Sequence, residues 1–255
     1  MTEQKKTLIL YTFHKKTQYV DYFIKYAIFK DPNINFLIII NSKYARITVP
    51  EYVNVIYRDN IGYDFGAWSE GLLTNDTYKN YDYFIFANSS IIGPFLKPEE
   101  TQNWPSYFIN GLKNNHNTKL FGTIISSFHF KSPILSHVQS FIFSTDKEAL
   151  EYLMKCQIFS TTNYAINMEE AIWQKELLMS RRIIENGWNI GSLLPYYKDV
   201  DFTFKTKSIN EYPNDFFLDE LTWEYYNNKL WTPSDLVFIK NNRDIKYHTP
   251  FPIPM

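Results

Sequence analysis

The chain has one cysteine, Cys156, in 255 residues. A single cysteine excludes an internal disulfide and a cysteine-based zinc site, and it fits a reducing compartment. An excess of charge is also lacking: 26 Lys and Arg face 27 Asp and Glu, for a formal net charge of −1. Such a balance gives no general attraction to nucleic acid or to an anionic membrane. No apolar run approaches the roughly 18 residues of a membrane span. The start, Met1-Thr-Glu-Gln-Lys-Lys6, leads straight into a strand-like run with no leader pattern. These absences predict a soluble, cytoplasmic protein with no transmembrane segment and no nucleic-acid partner, peripheral to a membrane where its acceptor is lipid-borne. Glycine is scarce, with 8 residues, and none falls in Gly-x-Gly-x-x-Gly, a P-loop or Gly-x-Ser-x-Gly. Dehydrogenase, kinase and α/β-hydrolase chemistry are thereby disfavoured. There is no His-x-x-x-His to mark a metal site.

Apolar residues are plentiful at 45%, and aromatics reach 18%. That supports a sizeable core with aromatic rings left over for stacking on sugar or base faces, or for a Tyr-rich surface. Short apolar runs alternate with helix-compatible segments. Strands are predicted at Thr7–Thr12, Asn35–Ile40, Val53–Tyr57 and Asp82–Ala87, with helices at Tyr19–Phe29 and through Trp68–Leu73. Continuous apolar strands separated by helices imply a parallel sheet covered on both faces, so the fold class is α/β with a Rossmann-like half. Further strands are expected at Leu120–Ile125 and Gln139–Phe143, and helices over Asp146–Lys155 and from Met168. Asn167 is the N-cap of the latter, with Glu170 three residues on, and Gly187 its stop. The last 60 residues, preceded by Pro195 and broken by Pro213, Pro233, Pro250, Pro252 and Pro254, read as an irregular wrap. A single domain over residues 1–255 follows, with parts at 1–100, 101–195 and 196–255.

Four places offer chemistry. The run from Arg58 to Trp68 follows a strand and leads into a helix, where open α/β sheets bind ligands. It sets a cation (Arg58), an amide (Asn60) and a carboxylate (Asp64) close together, around Gly62 and Gly66. The turn Asn88-Ser89-Ser90 ends the fourth strand, with Gly93-Pro94 at its exit. Glu176 and Ser180 fall inside the apolar stripe Ile172, Trp173, Leu177, Met179, Ile183 and Ile184 of an α-helical wheel. An inward carboxylate costs several kcal/mol unless paired or used, and burial would move its pKa toward the range of a general base. A buried Arg or Lys partner is the structural alternative. His129, His137 and His248 are more often hydrogen-bonders than ligands when alone. Glu169 and Glu170 complement the helix dipole in its first turn.

Taken together, Arg58-x-Asn60-x-Gly62-Tyr-Asp64-Phe-Gly66-Ala-Trp68, Tyr81-Asp82, Asn88-Ser-Ser90 and Gly93-Pro94 resemble the rhamnan-synthesis F type of glycosyltransferase. His137-Val-Gln139-Ser-Phe, Lys175-Glu-Leu-Leu-Met-Ser180 and Gly187-Trp188 fit the same family, so the matches run over about residues 7–195. The resemblance implies a GT-A-like single domain that moves a sugar, such as rhamnose or another deoxyhexose, from a nucleotide-sugar to a hydroxyl of a glycan or lipid-linked glycan. It places Tyr11, Thr12 and Asn41 beside the base and ribose. Arg58, Asn60, Gly62, Asp64, Asn88, Ser89, Ser90, His137 and Gln139 fall at the donor and acceptor. The family's usual Asn-Asp-Ser reads Asn-Ser-Ser here, so no acidic pair follows the fourth strand. Three options stay open. Mn²⁺ or Mg²⁺ is held by Asp64, Ser90 and His248; basic groups such as Arg181 hold the diphosphate; or activity is lost and the chain is a non-catalytic nucleotide-sugar or glycan-binding module. For an active enzyme, Glu176 is the base of a direct displacement with inversion.

Overall fold

The computed structural model describes residues 4–113, 117–127, 136–212, 225–226, 229–230 and 232–241. Its centre is a seven-stranded sheet in the order β10 (Asn189–Ser192), β6 (Thr118–Gly122), β9 (Ile142–Asp146), β4 (Tyr83–Asn88), β1 (Thr7–Phe13), β2 (Ile34–Ile40) and β3 (Asn54–Tyr57). The first half is built from β1 (Thr7–Phe13), α1 (Gln18–Tyr26), β2 (Ile34–Ile40), β3 (Asn54–Tyr57), α2 (Tyr63–Leu73) and β4 (Tyr83–Asn88). These four strands run parallel, β1 pairing with β2 and β4, and β2 with β3. β5 (Ile91–Ile92) and α3 (Pro105–Lys113) lead to β6 (Thr118–Gly122), β7 (Ile125–Ser126), β8 (His137–Val138), β9 (Ile142–Asp146) and α4 (Lys147–Lys155). A helical stretch from α5 (Met168–Glu170) to α6 (Leu178–Glu185) precedes β10 (Asn189–Ser192).

The parallel expectation holds for the first half and fails at β9, which is antiparallel to both β4 and β6. The expected strand Gln139–Phe143 is displaced as well, to Ile142–Asp146. Its polar end, Ser144-Thr145-Asp146, reads as a loop in sequence, yet Ser144 and Thr145 are fully buried. Their hydroxyls donate to the carbonyls of Phe108, Phe121 and Lys119, which removes the penalty of burying them. The expected strand Leu120–Ile125 divides into β6 and β7 after Gly122.

Both faces of the sheet are covered. Along β1, Ile9, Tyr11 and Phe13 join α1 and α3 on one face, while Leu8 and Leu10 join α2, α4 and α6 on the other. This is the period-two alternation of a strand buried on both sides. In the second core Phe86 stacks on Phe143 and Phe159, and Trp68 meets Phe86 and Phe143 edge-on.

The helical stretch of residues 168–185 departs from an α-helical wheel. Asn167 caps it, its Oδ1 accepting from the Glu170 amide at 2.8 Å. It then widens to a π-helix over Ala171–Leu177 before returning to α geometry. The i→i+5 winding turns Ile172 and Trp173 outward, 40% and 49% exposed, and brings Lys175 inside at 3%. Gly187, at φ +79°, closes the helix: its amide donates to Ile184 and that of Trp188 to Ile183, a left-handed stop that glycine adopts without strain.

The C-terminal region is described in pieces. β11 (Tyr225–Tyr226) pairs with β12 (Lys229–Leu230). α7 (Pro233–Leu236) leads into β13 (Ile239–Lys240), which pairs antiparallel with β5. Among the described residues, no helix is long and apolar enough to cross a membrane.

Candidate functional site

The carboxyl ends of β1 to β4 form the floor of the site. The run from Arg58 to Trp68 is part turn and part helix, since α2 already starts at Tyr63. Gly62 at φ +73° makes the bend. A Cβ there would meet the Tyr164 ring at 2.6 Å, so both conformation and space call for glycine.

Arg58 organises this turn. Its guanidinium donates to Asn41 Oδ1 at 2.7 Å, the Ile61 carbonyl at 2.7 Å and Glu70 Oε1 at 2.6 Å. Tyr164 adds its hydroxyl to Glu70 at 3.1 Å. Burial alone would raise the Glu70 carboxyl, but the hydrogen bond and charge of Arg58 hold it below its usual range. Arg58 and Asn41 are therefore buried and engaged with each other. Tyr11 stacks on Phe23 in the core at 1% exposure, and the Thr12 hydroxyl donates to Ile39. Tyr11, Thr12, Asn41 and Arg58, all expected at the donor, are thus buried at the strand ends, and Asn60 is exposed.

The polar centre lies between α2, β4 and the π segment. Asn88 donates through Nδ2 to Asp64 Oδ2 at 2.8 Å and accepts the Ser90 amide on Oδ1 at 2.9 Å. Asp64 keeps part of its surface open yet is closely packed by protein atoms. Burial pushes its carboxyl up to about 6; the Asn88 hydrogen bond opposes this, the Glu176 charge adds to it, and the Lys240 charge draws it down. Across from Asp64, Glu176 Oε1 accepts the Ser140 amide at 3.2 Å and lies 3.7 Å from His137 Nε2. Ser180 Oγ accepts the Val138 amide at 3.0 Å. The two inward polar residues thus grip alternate amides of residues 138–140. Glu176 retains 20% side-chain exposure, and among the described residues it pairs with an amide and a histidine rather than a buried Arg or Lys. His137 and Gln139 are nearly buried beside it.

Lys175, next to Glu176, points the other way. Its Nζ donates to the carbonyls of Gln157 and Asn163, both at 2.7 Å, and burial pushes the ammonium pKa down. It pins the loop that carries Tyr164 over Gly62.

Arg181 does not join the site. It faces solvent and pairs with Glu185 at 2.7 Å, about 100° around the helix from the buried Ser180. His129 and His248 lie outside the described residues. The chain's one Asp-x-Asp, Asp199-Val-Asp201, lies beyond β10, where Asp201 accepts from Thr203 and Thr206 in a local turn. Among the described residues, no three of His, Cys, Asp and Glu gather to hold a metal ion. A cleft of about 520 Å³ lies along β10 and α3, lined by Tyr107, Asn110, Gly191, Ser192 and Tyr197, and none of the expected site residues line it.

The polar centre joins Asn88, Asp64 and Glu176, the residues that carry the sequence resemblance. A profile of the family described as rhamnan synthesis protein F matches residues 37–222, more than half of the chain and all three of these positions. The chain belongs to the rhamnan synthesis protein F family. Two Vibrio anguillarum sequences of virulence protein VirA are each 31% identical over 96 residues, 35% of this chain. That match spans 30% of those curated relatives' own length.

Within this rhamnan synthesis protein F member, sequence reasoning missed Glu70, Tyr164, Lys240 and Asn241. The first two leave no local signal, since their partners are distant in sequence. The last two follow Leu236-Val-Phe-Ile239, a short apolar run readable as a strand.

Proposed function

We propose that the protein transfers a sugar from a nucleotide-sugar to an acceptor hydroxyl in polysaccharide or glycan synthesis. Membership of the rhamnan synthesis protein F family supports a glycosyltransferase-related role. The observation that carries the reading is the pairing of two environments at one strand end. Asp64 is packed against Asn88, while Glu176 is oriented by the Ser140 amide and keeps an open side. Two carboxylates in unlike settings suit unlike roles.

In this reading Asp64 and Asn88 hold donor sugar hydroxyls. The Glu176 carboxylate takes the acceptor hydroxyl proton as that oxygen bonds to the anomeric carbon. The bond from that carbon to the diphosphate oxygen breaks, and its electron pair leaves with the nucleoside diphosphate. One base opposite the leaving group gives inversion. A deoxyhexose such as rhamnose is the sugar the family name points to.

The divalent ion of GT-A-like enzymes fits poorly here. Hard cations favour several oxygen ligands with carboxylates among them. The Asn-Ser-Ser turn is neutral, Asp64 already accepts from Asn88, and the Ser89 and Ser90 carbonyls accept from Asn241. No step is assigned to a metal.

Glu176→Gln should lower turnover about 10²–10⁴-fold, the usual worth of a general base, with nucleotide-sugar affinity preserved. Near-normal turnover in this variant would remove the base assignment. Binding without turnover by the wild type, across a panel of donors and acceptors, would favour a binding module.

A further inference from the structure

We infer that the cleft along β10 and α3 is a second binding site, separate from the Asp64–Glu176 centre, that takes a neutral mono- or disaccharide. Such a site is independent of the transferase reading, because none of the residues placed in that reaction line the cleft. Its volume of about 520 Å³ lies in the range of small-molecule sites.

The cleft is built around the ring of Phe121. A Cβ at Gly111 of α3 would come within 2.4 Å of that ring, and one at Gly191 of β10 within 2.8 Å. Two positions without side chains therefore seat the ring between helix and strand, where it and Tyr107 give the cleft aromatic surface. Such surface suits the apolar face of a sugar ring. Polar groups complete the lining. Burial, and then the Glu100 carboxylate beside it, pushes the Tyr107 hydroxyl up to about 12, so it remains a neutral donor. Asn110 is half-buried and Gln102 exposed, and their side-chain amides have no hydrogen-bond partner among the described residues. Each amide offers two donors and an acceptor, which matches hydroxyls that both donate and accept.

Other ligand classes fit less well. The charged side chains of the lining are one of each sign, Glu100 and Lys198, so the cleft has no net attraction for an anion such as a nucleotide. A peptide added as a strand needs a free sheet edge several residues long. The amides of Asn189 and Leu193 donate to the Asn117 and Gly122 carbonyls on the β6 side, so the backbones of residues 190 and 192 face outward. Asn189 Oδ1 then takes the Ile190 amide at 3.0 Å and the Phe202 amide at 2.9 Å, and its Nδ2 donates to the Val200 carbonyl at 2.9 Å. Residues 200–202 thereby close that half of the edge. Ser192 alone is left beside the cleft, too short a ladder for a peptide.

Titration of the isotope-labelled full chain, followed by NMR, tests this with the methyl glycosides of rhamnose, glucose, galactose and N-acetylglucosamine, with maltose, and with uridine diphosphate. At least one saccharide should shift the amides of residues 107–111 and 190–193 saturably, and uridine diphosphate should not. Asn110→Ala and Gln102→Ala should each weaken that binding about two- to tenfold, the net worth of a hydrogen bond, while Asp64→Asn leaves it unchanged. Gln102 is exposed, so its variant keeps the test open should Asn110→Ala fold poorly by circular dichroism. The site is overturned if no saccharide shifts these amides, if both cleft variants bind as the wild type does, or if uridine diphosphate binds there instead. Saccharide shifts confined to the surroundings of Asp64, Asn88 and Glu176 would also overturn it and leave the transferase reading standing. Saccharide binding in the cleft of a protein that transfers no sugar would uphold the site and remove that reading alone.

Discussion

Asp64 carries a pH signature. Its folded pKa of about 6 lies above the ordinary 3.8, so the folded state holds its proton more tightly than the unfolded chain does. Its contribution to stability is fully present below about pH 4 and lost as pH rises through 6. A gap of about 2 in pKa corresponds to roughly 3 kcal/mol. Asp64→Asn removes the ionisation and should raise the melting temperature, with a gain at pH 8 roughly twice that at pH 5. An equal gain at both pH values would mean that the carboxylate is not strained by burial. The same variant should lose transfer activity, a trade of stability for function common at active sites.

At the scale of elements, the π-helical segment decides what the site can present. Lys175 satisfies two loop carbonyls from within it, and the Ser160 amide adds a bond to Ser69 of α2 at 2.9 Å. Lys175→Met leaves those carbonyls without their donor, at roughly 1–3 kcal/mol each. Amide hydrogen exchange should then accelerate over residues 157–164 before the rest of the chain. Unchanged protection in that loop would mean Lys175 is not its clamp.

The same segment shows what a sequence can and cannot disclose. β1, β2 and β4 were legible because a strand buried on both faces must be continuously apolar, and the helix cap at Asn167 and stop at Gly187 because each is local chemistry. β9 was misplaced because its buried hydroxyls depend on carbonyls of α3 and β6, which no local pattern records. The outward turn of Ile172 and Trp173 was hidden because a wheel presumes α winding. Glu176 and Ser180 were nonetheless correctly read as inward, while the Arg58 partnership with Glu70 required the tertiary fold.

Across the whole molecule, one sheet joins the four parallel strands of the first half to the later strands through β4 and β9. Trp104 sits in the core on one face and Trp68 in the core on the other. Urea unfolding followed by tryptophan fluorescence and by far-ultraviolet circular dichroism should therefore give coincident single transitions. Phe86→Ala, at the centre of the aromatic stack, should shift both together by about 3–5 kcal/mol. Two separated transitions would divide the chain into independent units.

The clamp from Asn241 to Ser89 joins residues 152 apart in sequence. During synthesis at roughly 5–20 residues per second, that interval lasts on the order of 10–30 s. For that time β1 to β4 exist and the asparagine that holds the turn after β4 does not. A nascent chain of this protein would therefore hold its first four strands before the residue that clamps the turn after them is made.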